Sequence, residues 1–383
     1  MADRKRHKKA QVNFLWLGET LLFPHIWPIV DRLARCRTDI IIDFWVSTDA
    51  HEALIKHQRG PAHENIRIRR SGFFRHVPID RHGTNIALPP KLLLLLSLLP
   101  RLFKAGPVIV AEQTSLWIPK ILPGFPPFIF TVHGAGPISH GKWKRLRAAD
   151  KVMVPSALMA AEMRRNGLTE SQVVITGYAK SAFSPSASST QLFADKRPIL
   201  LYNPHWQAHR SSWPVWGRQL LHSLIEQDRW NVIFAPHQRI VETDSSVRAL
   251  IDSLKTLPHI HAGLDGFAMV DGSYTGIADV YLGDTSSQIL EFVAKPRPVV
   301  LLRPQELSWV EQDSGQYGLL GECVTRFEDI LPALGRAADQ LEKYREVQIS
   351  YAGQTLGLTG EAATQSAVDV INTYLPPIPA AKR

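Results

Sequence analysis

Short apolar runs alternate with amphipathic stretches along most of the chain. Val12–Leu17 (VNFLWL) predicts a first strand, Gly18 a turn and Pro24–Arg37 a helix. Ile40–Val46 (IIIDFWV) is apolar almost without interruption, the pattern of a strand covered on both faces in a parallel sheet. Val108–Ala111, Phe128–Val132, Val152–Val154 and Val173–Thr176 predict further strands, with helical stretches between most of them. Ser156 ahead of ALMAAEMRRNG predicts a capped helix closed by Gly167. At Ser181–Lys196 (SAFSPSASSTQLFADK) the periodicity stops, and the small polar composition is that of a linker. Alternation resumes with strands at Pro198–Tyr202, Asn231–Ala235, Val280–Gly283 and Pro298–Leu302. A mostly helical tail follows, with GEAATQSAVDVINTYL as its last amphipathic run. The expected architecture is α/β, two doubly wound domains facing a cleft. Residues 1–180 form the first domain, 181–197 a linker, 198–345 the second domain and 346–383 a helical tail.

A length of 383 residues suits two domains, and 45% hydrophobic with 21% charged residues excludes a disordered chain or a disulfide scaffold. Cys36 and Cys323 stand far apart with no metal-ligand spacing around them, so no zinc site is expected. Lys plus Arg outnumber Asp plus Glu by 44 to 35, which favours anionic partners. Scattered basic residues without a recognition motif argue against nucleic acid. The opening MADRKRHKK reads either as a solvated terminus or as a basic anchor at an anionic membrane. Leu92–Leu99 (LLLLLSLL), bounded by Pro90, Lys91, Pro100 and Arg101, is too short to span a bilayer. It reads either as a buried helix or as a surface in peripheral membrane contact. With no signal-peptide pattern, the expected location is the cytoplasm, with peripheral contact at the inner face of the plasma membrane.

In a doubly wound sheet, ligands bind beyond the carboxyl ends of the strands, so residues placed there carry the candidate chemistry. No GxGxxG or GxxxxGK[ST] loop is present. Phe128–Val132 runs into His133 and Gly134, an imidazole that can exchange a proton near neutrality beside a backbone able to approach a ligand. The same histidine can equally serve as a turn residue bonded to backbone. His205 follows one strand and His237 another, with Arg239 beside it; each Pro-His pair offers a ring N–H to an anion. Asp284, Thr285, Ser286 and Ser287 follow Val280–Gly283 and open a helix expected to reach about Ala294. Unpaired amides and hydroxyls at such a point cradle phosphate or simply cap the helix. Glu291, one turn on, reads as a ribose ligand or as a solvated helix residue.

HGAG, VVITGYAK, ILLYNPHW, VIFAPHQR and DVYLGDTSSQILEFVAKPRPVVLL, taken in order, resemble the CDP-glycerol glycerophosphotransferases, builders of teichoic-acid-like polymers. The likeness covers about Phe128 to Ile371. It implies a GT-B fold of two Rossmann-like domains working without a metal or other cofactor. It also implies a CDP-activated donor and a hydroxyl acceptor such as a lipid-linked polymer. His133 matches the family's histidine-glycine motif and is implied as the base. Pro236 and His237 match a donor-phosphate contact, and Asp284, Ser286 and Ser287 match the residues that hold the pyrophosphate. The chain departs from the family where Ala135 and Gly136 precede Pro137 and where Pro204-His205-Trp206 replaces a Pro-Thr-Trp-like segment. Two alternatives stay open: a GT-B glycosyltransferase using a nucleotide sugar, and a non-catalytic nucleotide-binding protein.

Overall fold

A computed structural model describes residues 9–77, 88–103, 106–122, 126–136, 143–184, 192–263, 268, 270–305 and 317–378. The chain divides into two compact units: one runs to Phe183 and takes up the chain again at Gly357, and the other is built on Ser184–Leu356.

The first unit carries a seven-stranded parallel sheet in the order β3-β2-β1-β4-β5-β6-β7. Its strands are β1 (Gln11–Trp16), β2 (Ile41–Thr48), β3 (Ile66–Arg75), β4 (Val108–Val110), β5 (Phe128–Thr131), β6 (Lys151–Val154) and β7 (Val173–Ile175). The chain builds outward from β1 to β3, then returns to lay β4 on the other side of β1. That reversal puts a topological switch point between β1 and β4. Helix α1 (Phe23–Cys36) accommodates Pro28 and buries Phe23, Ile26, Trp27, Ile29, Val30 and Leu33. Helix α2 (Asp49–Gln58) follows β2, and α3 (Lys91–Leu102) packs Leu94, Leu95, Leu98 and Leu102 into the core that also holds Leu15, Trp45 and Phe130. Ser156 accepts from the Met159 N–H as the cap of the helix Ala157–Arg165.

The second unit has a six-stranded parallel sheet, β10-β9-β8-β11-β12-β13. Here β8 is Ile199–Asn203, β9 Asn231–Phe234, β10 Ile260–His261, β11 Val280–Gly283, β12 Val299–Leu302 and β13 Glu322–Val324. Gln348, fully buried in the helix Leu341–Leu356, braces this unit. Its amide oxygen accepts from Arg297 N–H (3.0 Å), and its NH2 donates to the carbonyls of Arg297 (3.0 Å) and Leu320 (2.6 Å).

Three strands escape the hydrophobic pattern. β3 (IRIRRSGFFR) lies at the edge of its sheet with Arg67, Arg69 and Arg70 exposed, so it reads as polar. β10 and β13 are two and three residues long, too short to show a period. The helix after β11 covers only Ser287–Phe292, with Ser286 as its cap, because the backbone leaves helical geometry at Val293.

The end of the chain is shared between the units. Leu341–Leu356 packs in the second, whereas Gly360–Asn372 lies against α1 in the first. Arg37, 2% exposed, anchors that return: it donates to Asn372 Oδ1 (2.9 Å), to the Pro376 carbonyl (2.9 Å) and to Asp39 (2.8 Å). Removing a buried guanidinium strands all three acceptors. Arg37→Met is therefore expected to lose about 2–4 kcal/mol in urea unfolding followed by tryptophan fluorescence. Arg35→Met, at an exposed neighbouring position, should change stability by less than about 0.5 kcal/mol.

Candidate functional site

In the second unit, the adjacent strands β9, β8 and β11 deliver three sequence-predicted segments to one edge of the sheet. β8 leads into Pro204-His205-Trp206, β9 into Ala235-Pro236-His237, and β11 into Asp284–Ser287. The His237 N–H donates to the Pro204 carbonyl (3.0 Å), and the two imidazole centroids lie 5.6 Å apart. Arg239 places its guanidinium 4.3 Å above the Trp206 ring.

The protonation of these imidazoles follows from their surroundings. Burial, reinforced by the charge of Arg210, pushes His205 down to about 2; burial and Arg239 push His237 down to about 4. Both rings are neutral near pH 7. His205 Nδ1 accepts the Gln207 N–H (3.1 Å), and His237 Nδ1 accepts the Arg239 N–H (3.2 Å). The hydrogen-bond pattern thus assigns the proton of each ring to Nε2. Each histidine presents an N–H donor without a charge.

Asp284 is 0% exposed. Its carboxylate accepts the His205 N–H (2.7 Å) and, through both oxygens, the Ser212 N–H (3.0 and 3.1 Å). The sequence pattern grouped Asp284 with residues that grip a ligand; here its oxygens are turned inward onto two amides. It fixes the loop that carries His205. Burial pushes its carboxyl up to about 7, against the opposing pull of those hydrogen bonds. Tyr281 OH donates to the Asp284 carbonyl (2.9 Å), closing the turn from below. Ser286 Oγ caps the following helix by accepting the Gln288 N–H (3.2 Å). Thr285 Oγ1 is buried without a hydrogen-bond partner, while Ser287 and Glu291 are half-buried. A cavity of about 520 Å³ opens beside Trp206, lined also by Trp213, Val215, Arg218, Ile240 and Asp244. Trp213 stacks on Phe234 (5.4 Å), which stacks on Tyr202 (5.5 Å), so the Trp213 wall is backed by buried rings.

In the first unit, β5 leads to His133, which is exposed, and to Gly134, whose φ of +89° suits glycine. His133 Nδ1 lies 3.1 Å from the Ala111 carbonyl beyond β4. A carbonyl only accepts, so Nδ1 carries the proton and the lone pair is left on Nε2. This is the reverse of His205 and His237. His25, from α1, sits 6.2 Å from His133 and 5.9 Å from Tyr178, centroid to centroid. Burial holds His25 well below the ordinary histidine range, and the charge of Lys180 adds to the effect. Pro137, the next residue of the sequence motif, lies outside the described residues.

The sequence reading did not single out Trp206, Arg210, His25 or Lys180 as site residues. The one available signal was positional: His25 follows the first strand-to-helix turn beside a switch point. Arg210 sits in an aperiodic loop that nothing in the pattern marks. Among the described residues, no group of three or more His, Cys, Asp or Glu side chains is arranged to hold a metal ion.

No protein-family model and no curated protein sequence matches the chain. Solved structures do. A Staphylococcus aureus MnaA–UDP complex aligns over 95% of this chain and 96% of its own, at 14% identity and a TM-score of 0.64. A variant of the wall teichoic acid polymerase TagF soaked with CDPG aligns over 96% and 88%, at 13% identity and a TM-score of 0.59. The UDP-GlcNAc 2-epimerase of Neisseria meningitidis, bound to UDP-GlcNAc, aligns over 96% and 100%, at 12% identity and 0.61. The fold is of the GT-B type. Each GT-B unit is a Rossmann-like sheet, and the histidines described above stand at the carboxyl edges of those sheets.

The raised carboxyl of Asp284 has a thermodynamic consequence. Between the unfolded value near 4 and the folded value near 7, only the folded chain keeps this proton, so stability falls as pH rises through that window. Asp284→Asn removes the buried charge. The difference in unfolding free energy should shift toward the variant from pH 4 to pH 8, by up to about 4 kcal/mol. Denaturant titrations of both proteins at several pH values measure it, and parallel pH profiles would refute the assignment.

Proposed function

We propose that the protein is a transferase of cell-envelope polymer biosynthesis, moving a glycerol-phosphate-like group from a CDP-activated donor to a hydroxyl acceptor. The observation that carries this reading is the opposite tautomers of the site histidines. His133 keeps a lone pair on Nε2, as a base requires, whereas His205 and His237 present N–H groups, as an anion-binding surface requires.

In this reading, the acceptor hydroxyl gives its proton to His133 Nε2 as its oxygen bonds to the phosphorus that carries the glycerol. The bond from that phosphorus to the bridging oxygen breaks, and CMP departs with the electron pair. His205 and His237 donate to the pyrophosphate oxygens, Arg239 supplies positive charge, and the amides and hydroxyls of Thr285–Ser287 complete the cradle. Positioning and electrostatics do the work, as is usual in phosphoryl transfer. The cavity beside Trp206 receives the nucleoside, with the indole as a stacking surface. A lipid-linked polymer hydroxyl is the acceptor.

A nucleotide-sugar transferase is the second reading, favoured by the structural neighbours solved with UDP and UDP-GlcNAc. Incubation with CDP-glycerol and, separately, with UDP-sugars, followed by assay for released CMP or UDP, separates the two. Stabilisation by nucleotide with no turnover of either donor would mark a binding protein instead.

On the first reading, His133→Ala and His237→Ala should each lower kcat with CDP-glycerol by about 100-fold or more. Trp206→Ala should act mainly on donor KM, by about 10-fold. Near-normal turnover in a folded histidine variant removes that residue from the mechanism.

A further inference from the structure

The loop after β8 is an arc clamped at both ends by one side chain. The Asp284 carboxylate accepts the His205 N–H at one end (2.7 Å) and the Ser212 N–H at the other (3.0 and 3.1 Å). Inside the arc, Gln207 makes two separate attachments. Its peptide N–H donates to His205 Nδ1 (3.1 Å), and its side-chain oxygen accepts from Arg210 Nε (2.7 Å) and from Arg210 Nη2. A guanidinium only donates, so the amide oxygen, not the NH2, faces it. The Arg210 peptide N–H also bonds the Gln207 carbonyl (3.0 Å), which closes the turn Ala208–Arg210.

The chemistry of that partner is informative. Arginines that brace this fold meet carboxylates: Arg37 meets Asp39, Arg197 meets Asp195 and Arg326 meets Asp329. A carboxylate holds the guanidinium and also cancels its charge. A neutral amide holds it and leaves the charge intact. Among the described residues Arg210 makes no ion pair, and it is half-buried. Fixing an arginine side chain costs roughly 2 kcal/mol of rotamer freedom, and covering it takes water from the charge. One amide acceptor returns little of that to folding.

The charge is felt where the neutral donors stand. Burial holds His205 and His237 below the ordinary histidine range, and the charge of Arg210 adds to the effect on each. The same charge opposes the burial that raises Asp284. Arg210 thus lies within electrostatic reach of both imidazoles. Its Nε and Nη2 are turned to Gln207, which leaves the two N–H groups of Nη1 for another acceptor. Two neutral imidazole N–H groups by themselves suit any polar oxygen; a fixed full charge beside them selects an anion. The Arg239 guanidinium, 4.3 Å from the Trp206 ring centroid, is a second centre of positive charge on the neighbouring strand end. Two cations with two N–H donors match a diphosphate, whose charge is spread over two phosphoryl groups.

We propose that Arg210 takes one phosphoryl group of a diphosphate, and that Gln207 is the positioning residue that holds this guanidinium in place without neutralising it. The proposal rests on reading this strand edge as an anion site, and its test needs no turnover. Inorganic pyrophosphate is titrated into the full chain by calorimetry at low ionic strength. The wild type should bind it, and Arg210→Met should weaken binding about 10- to 100-fold. Gln207→Glu separates positioning from bracing: a carboxylate grips Arg210 at least as firmly but cancels its charge. Affinity should therefore fall about tenfold while the melting temperature does not drop. Arg229→Met removes an equal charge from an exposed position just ahead of β9, and should change affinity less than about twofold. Three results would overturn the proposal: Arg210→Met binding as the wild type does, Gln207→Glu binding as the wild type does, or Arg229→Met losing as much affinity as Arg210→Met. A wild-type chain that ignores pyrophosphate would overturn this inference and the anion-site reading together. Binding of pyrophosphate without turnover of CDP-glycerol would sink the transferase reading and leave Arg210 in its role.

Discussion

Asp284 takes hydrogen bonds from the amides of His205 and Ser212 while wholly removed from water, and the arrangement of the strand ends in the second unit depends on that contact. The loop after β8 has no helix or sheet ladder to satisfy its own amides. A carboxylate from the neighbouring strand end supplies the acceptor, and this holds His205 in place beside β11. The cost is a buried charge, visible in a carboxyl pushed up to about 7. The benefit is a loop whose geometry is set by the sheet rather than by solvent.

The same logic fixes the imidazoles. In each of the three strand-end histidines, backbone chooses the tautomer. An amide pointing at Nδ1 forces the proton onto Nε2 in His205 and His237, and a carbonyl pointing at Nδ1 forces it away from Nε2 in His133. One residue type therefore offers a donor in one unit and an acceptor in the other. Neither role needs a charged ring, and burial suppresses the charge in His205 and His237. An anion meeting these two rings is bound by N–H groups, with positive charge supplied separately by arginine.

Much of this was legible beforehand, for a physical reason. Strands buried on both faces announce themselves as apolar runs, and a doubly wound topology puts the residues after them at one edge. So β1, β2, β8, β9 and β11 appear in the sequence to within a residue or two, and His133, His205 and His237 appear with them. β3 was hidden because an edge strand needs only part of its surface covered, so its arginines mask the alternation. Roles were less legible than places. Asp284 looks from its sequence like a ligand-facing residue, and only the direction of its carboxylate shows it working on the protein's own backbone. Arg210 and His25 reach their sites by tertiary folding that no local spacing encodes.

The leucines of α3 show how one sequence signal can carry two meanings at once. The run LLLLLSLL permits a buried helix or a membrane surface. A sheet can cover only one side of a helix. Leu94, Leu98 and Leu102 satisfy that side, and packing imposes no apolar requirement on Leu92 or Leu96 opposite them. A solvated helix of this kind would carry lysine or glutamate there at no cost to the core. The core thus accounts for the leucines on one side of this helix and leaves those on the other side exposed. Phe73, with a φ of +60°, stands where the register of β3 against β2 shifts, so its backbone follows the irregularity of an edge strand.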